Sequence, residues 1–125
     1  MPPNQLQVRG RQNYLAGQSG EESAARAYKD LGYRLITQRW RGKGCELDLI
    51  FESNEGLLFV EVKTARSHDL AAQRVSQAQI HRIFTAATIF ADQHSEGSLV
   101  DMRFDVALVD GAGVVQILEN ALMAA

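Results

Sequence analysis

Cys45-Glu46-Leu47-Asp48-Leu49-Ile50-Phe51 and Leu57-Leu58-Phe59-Val60-Glu61-Val62-Lys63 are two apolar runs, each carrying charges where a buried strand should have none. Ser53-Asn54-Glu55-Gly56 lies between them and holds residue types that favour chain reversal, so the pair reads as an antiparallel hairpin. If residues 52 and 57 are opposite, the register is set by the period of two. Leu47, Leu49 and Phe51 then share an apolar face with Leu58, Val60 and Val62. On the other face Ile50 meets Phe59, Asp48 meets Glu61, and Glu46 meets Lys63.

The last of these is an ordinary cross-strand ion pair. The middle one is not, because directly opposed like charges destabilise a sheet, and more so when buried. Two carboxylates held together share a proton or a cation, and with a lysine beside them they suit an oxygen-ligand site for a hard divalent ion, Mg²⁺ or Mn²⁺. The competing reading is a solvated face with scattered charges, since Glu-x-Lys alone is a common tripeptide.

A third acid comes from the segment before the hairpin. Ser19-Gly20-Glu21-Glu22 opens a helical pattern that closes at Gly32. Ser19 reads as its N-cap and Glu22 as the capping-box partner, four residues before Arg26. Glu21 falls in line with Ala24 or Ala25, Tyr28 and Leu31, the stripe expected to pack on the sheet. A first-turn acid favoured by the helix dipole is the plain alternative. A carboxylate aimed at a sheet face that already holds two more joins Glu21, Asp48, Glu61 and Lys63 into one constellation.

This arrangement of a helix Glu, a strand Asp and a Glu-x-Lys strand resembles the PD-(D/E)xK nuclease superfamily, with Leu47 where many members have proline. Gly20-Glu21, Gly32-Tyr33, Arg39-Trp40-Arg41, Glu46 to Ile50, Phe59 to Thr64 and Arg103-Phe104-Asp105-Val106 are more closely similar to the uncharacterised YraN family, itself related to archaeal Holliday-junction resolvases. The resemblance runs from Gly17 to Leu122. It implies a restriction-endonuclease-like α/β fold and a metal-dependent endonuclease acting on nucleic acid, branched or structured DNA in the first place. The implied catalytic residues are Asp48, Glu61, Lys63 and Glu21. The implied metal ligands are Asp48, Glu61, Glu21 and the main-chain carbonyl of Val62. Glu46 would keep Lys63 in position or serve as another ligand. Family members often have glycine at the place of Cys45 and a lysine near Gln79, and many are basic overall.

With 125 residues, 46% of them hydrophobic and 22% charged, the composition predicts one domain over residues 17–125 behind a flexible segment over 1–16. One cysteine excludes an internal disulfide, and no signal-peptide core or membrane-length apolar run is present, which together predict a cytoplasmic protein. The three histidines share no metal-ligand spacing.

The net charge of −2 conceals a gradient. Residues 1–45 carry eight Lys or Arg against three acids, a balance of +5, whereas residues 75–125 carry two against six. Arg39, Trp40, Arg41 and Lys43 lead into the strand bearing Asp48 and form a candidate nucleic-acid surface, with cations for phosphates and an indole for stacking. A solvated edge strand with a core tryptophan is the equal alternative.

The remaining pattern gives a strand from Tyr33 to Trp40, a loop from Arg66 to Gln73, a helix from Val75 to about Gln93 and strands around Phe104–Leu108 and Val114–Leu118. Asp105 reads as the partner of an arginine. The order is α-β-β-β-α-β-β, a mixed sheet flanked by helices. Two non-catalytic readings stay open: a nucleic-acid-binding module, and a homodimeric assembly domain using the apolar tail Val114, Val115, Ile117, Leu118, Leu122 and Met123.

Overall fold

The computed structural model describes residues 19–42, 44–95 and 100–121. The segment expected to be flexible at 1–16, Lys43, Leu122 and Met123 lie outside the described residues. The chain forms α1 (19–30), β1 (Arg34–Gly42), β2 (Cys45–Ser53), β3 (Gly56–Thr64), α2 (His68–Ala72), α3 (Gln77–His94), β4 (Met102–Val109) and β5 (Val115–Leu118). Five strands make one mixed sheet in the order β1-β2-β3-β4-β5. The first three are antiparallel, the α2–α3 crossover makes β4 parallel to β3, and β5 returns antiparallel to β4. This is the mixed, helix-flanked α/β architecture that the sequence predicts, with one additional short helix. That helix, α2, occupies the stretch expected to be a loop; Ser67 starts it by accepting a hydrogen bond from the Leu70 amide.

Helices cover both faces of the sheet. Ala24, Ala25 and Tyr28 of α1 pack on Leu49, Phe51, Leu58, Val60, Ala107 and Val109. Ile80, Ile83, Ala86, Ala87, Phe90 and Ala91 of α3 pack on Leu47, Ile50, Leu57, Phe59, Phe104, Val106 and Leu108. Those six residues form the buried face of α3. Leu31 is a correction: it is 65% exposed, because α1 stops at residue 30. The stop has a local cause. Gly32, at φ 98°, lets its own N–H reach the Lys29 carbonyl and the Tyr33 N–H reach that of Tyr28. Ser19 is a second correction, lying already within the helix and not at its cap.

The start of α1 is fixed against the sheet by the absence of a side chain. A Cβ on Gly20 would stand 2.2 Å from Cγ2 of Thr64, a short β-branched side chain with little room to turn. Gly20→Ala is therefore expected to lift the first turn of α1 from β3 and lower stability by about 1–3 kcal/mol in denaturant unfolding. The same shift would displace the neighbouring Glu21.

Candidate metal centre

The β2–β3 hairpin has the expected register at its turn end, from Ser53 opposite Gly56 to Leu49 opposite Val60. There the pairing stops and the strands fork. Asp48 lies in the opening, where its Oδ2 accepts a 2.8 Å hydrogen bond from the Val62 amide and so replaces a backbone partner. The other neighbour of β2 is irregular at the same level. Gln38 pairs with Leu49 and Trp40 with Leu47, while Arg39 between them has φ 52°. Simple alternation is broken here, and Leu47 packs under α3 and not with Leu49 and Phe51 beneath α1.

Four acids converge on this fork. One carboxylate oxygen each from Glu21, Glu46 and Asp48 lie within 4.8 Å of one another. The Glu61 carboxyl lies near that of Asp48, close enough for its charge to act on it. Glu61 is also held from the α3 side by Gln79 Nε2 at 2.9 Å and by Lys63 Nζ at 3.1 Å, both on Oε1. Lys63 thus pairs along its own strand with Glu61. The expected Glu46–Lys63 pair is absent, and Glu46 instead meets Arg41 at 3.3 Å. The reason is the fork, which removes the cross-strand register on which that pair depended. Glu46 consequently faces Glu21 and Asp48, the second of the two roles open to it. Arg39 Nε bonds Glu21 Oε2 at 2.8 Å. Val62 is present through its N–H.

Charge is unevenly answered within this group. Glu21 has Arg39, Glu46 has Arg41 and Glu61 has Lys63, but Asp48 has no cationic partner among the described residues. Burial first, then the charge of Glu61, pushes its pKa up to about 8, although the Val62 N–H pulls the other way. Glu61 is raised also, by burial, with Lys63 opposing. The two carboxyls accordingly retain a proton near neutrality. Between the ordinary carboxylate pKa near 4 and the folded value near 8, the folded state binds a proton that the unfolded chain has lost, so stability falls as pH rises through this window. Metal-free protein is expected to melt several degrees lower at pH 9 than at pH 6, and Asp48→Asn to flatten that slope. Thermal scans with chelator present measure both.

Trp40 is half-buried with its ring edge-to-face on Phe90, centroids 5.4 Å apart. Arg41 is 82% exposed. Cys45 is half-buried beside the α3 layer, and burial raises its thiol pKa, the opposite of nucleophile activation. Gln79 was legible in the sequence only as a departure from a lysine; the structure makes it a direct partner of Glu61. A cleft of about 440 Å³ opens at the turn end of the hairpin, lined by Tyr33, Ser53, Glu55, Asp101, Met102 and Arg103, and contains none of the four acids.

Comparison with known proteins places the chain. The model of an uncharacterised protein family, UPF0102, matches residues 20–109, a span holding all four acids and Lys63. The chain belongs to the UPF0102 family. This is the YraN family whose motifs the sequence resembles. A UPF0102 protein of Roseobacter denitrificans is 50% identical over 98% of this chain and 95% of its own length. UPF0102 proteins of Ruegeria pomeroyi and Cereibacter sphaeroides are 46% and 45% identical, over 93% and 92% of this chain and 94% and 98% of theirs. No helix among the described residues is long and apolar enough to cross a membrane.

Proposed function

We propose that this UPF0102 protein is a Mg²⁺- or Mn²⁺-dependent endonuclease hydrolysing phosphodiester bonds in nucleic acid, DNA with branched or structured regions foremost. The observation that carries this reading is the fork: Asp48, with no cationic partner among the described residues, sits among Glu21, Glu46 and Glu61 with Lys63 alongside. An all-oxygen donor set with one acid uncompensated fits a hard divalent ion. Glu21, Glu46 and Asp48 would hold it, with Glu61 closing the side next to Asp48. When bound, such an ion lowers the pKa of water and neutralises charge on phosphate.

The chain's own groups supply the rest. The Val62 N–H fixes the Asp48 carboxyl so that it points into the fork. Glu61 and Gln79 orient each other, and Glu61 in turn fixes the Lys63 ammonium. A lysine held in this manner donates to the non-bridging phosphate oxygen, where negative charge grows as a water oxygen adds to phosphorus and the bond to the leaving ester oxygen breaks. The proton released by the water passes to solvent and the leaving oxygen takes one up. Arg39 and Arg41 flank the acids and provide cations for the phosphates of the strand.

The test is incubation of purified protein with branched, single-stranded and duplex DNA and RNA in Mg²⁺ or Mn²⁺. Metal-dependent cleavage of at least one substrate is the expected result. Absence of cleavage throughout, with binding that weakens as salt rises, would replace the nuclease with a binding module.

A further inference from the structure

Arg39 combines two features that the proposed reaction does not by itself require. It occupies left-handed backbone space at φ 52°, which for a residue with a long side chain costs on the order of 1 kcal/mol or more. It also places its guanidinium on Glu21, one of the three carboxylates gathered at the fork. The strained position is held from both sides, by the Gln38–Leu49 and Trp40–Leu47 pairs and by the seating of Trp40 on Phe90. The backbone at Arg39 is thereby fixed, while its side chain is 44% exposed.

The charges say when it would leave. A divalent ion bound by Glu21, Glu46 and Asp48 would stand within a few ångströms of the guanidinium on Glu21 and repel it. We propose that Arg39 is a displaceable counter-ion: it neutralises Glu21 in the metal-free protein, yields to the divalent ion, and turns outward to hold a backbone phosphate of the nucleic acid. The phosphate half of this proposal rests on the nuclease reading, whereas the metal half does not. Metal loading and strand binding are then coupled through one side chain, each favouring the other.

The measurement is Mn²⁺ affinity by calorimetric titration without nucleic acid, for the wild type and for R39Q, R39K and R39G. Removal of the competing charge should tighten Mn²⁺ binding about tenfold in R39Q and R39G, and R39K should resemble the wild type. R39G accepts the left-handed backbone without strain, so it guards against loss of fold. Fluorescence anisotropy with a single-stranded oligonucleotide in Ca²⁺ or chelator supplies the second readout: Ca²⁺ should strengthen binding to the wild type by a larger factor than to R39Q. Unchanged or weaker Mn²⁺ binding in both neutral variants overturns the proposal, making Arg39 a strut that supports Glu21. Tighter Mn²⁺ binding in those variants, with no cleavage of any substrate by the wild type, upholds the counter-ion and removes the nuclease.

Discussion

Asp48→Ala is expected to abolish metal-dependent cleavage, with a loss of roughly 10³-fold or more, and to leave the fold at least as stable as before. Both effects follow from the same position. Asp48 is the acid that lies within reach of Glu21 and Glu46 on one side and Glu61 on the other, so its removal disconnects the proposed ligand set. It is also the one acid of the four without a cationic partner among the described residues, and its burial beside Glu61 opposes folding wherever both are ionised. Alanine relieves that opposition and leaves the Val62 amide at an open fork, where water can replace the lost acceptor. A gain or no change in melting temperature at pH 9 together with lost cleavage would identify a site residue and not a structural one. Lys63→Ala should reduce cleavage by roughly 10²- to 10⁴-fold for a different reason, loss of the donor to phosphate. It should also destabilise, because Glu61 then loses its cationic partner and keeps neutral donors such as Gln79 against its burial. Cleavage that survives both substitutions would remove the fork from the active-site assignment.

The difference between these two variants rests on pairings that the sequence could not fully specify. Alternation of apolar residues and the Ser53–Gly56 turn were sufficient to set Ile50 against Phe59 and Leu49 against Val60. They could not reveal that pairing stops one residue later. The cause is a side chain, Asp48, taking the place of a backbone acceptor for Val62, together with a left-handed residue in the next strand. Neither leaves a trace in hydrophobic period. Past that point, extrapolated register set Glu46 on Lys63, whereas Arg41 and Glu61 are the partners that form. The convergence of Glu21 on the hairpin acids was legible because a helix stripe is a longer and more robust signal than a cross-strand pair.

Element ends followed the same division. The stop of α1 at Gly32 is encoded by one residue type with one conformational privilege, and the structure has it. The five-residue α2 has too few turns to show a period, and polar residues such as His68 and Asp69 make it look like a loop. Its Ser67 cap is visible only once the helix is known. The fork itself is a consequence of sheet order: β3 remains paired with β4 as far as Thr64 opposite Val109, so β2 can depart without unravelling the strand that carries Glu61 and Lys63.

That support of β3 by β4 makes Asp105 the residue whose loss should harm the fold most. Asp105 of β4 is fully buried, yet both its oxygens are used. Oδ1 accepts from Arg103 Nε at 3.0 Å and the Asn120 amide at 2.8 Å; Oδ2 accepts from Arg103 Nη2 at 2.9 Å and the Tyr28 hydroxyl at 2.8 Å. One carboxylate thereby ties α1, β4 and the chain after β5. Burial and the Asp105 charge hold the Tyr28 phenol above its ordinary pKa, so it remains a donor. Asp105→Ala would strand that buried hydroxyl, release Arg103 from its two hydrogen bonds and leave a void beneath α1. About 3–5 kcal/mol of destabilisation is expected, the range for breaking a buried ion pair at one partner. Tyr28→Phe, which removes only one donor, should cost about 1–2 kcal/mol. Denaturant unfolding of both variants measures the difference, and equal losses would show that the tyrosine bond carries the network while Arg103 adds nothing. Because α1 also presents Glu21, Asp105→Ala should weaken Mn²⁺ binding at the distant fork, whereas Arg103→Ala, which leaves the Tyr28 bond to Asp105 in place, should weaken it less.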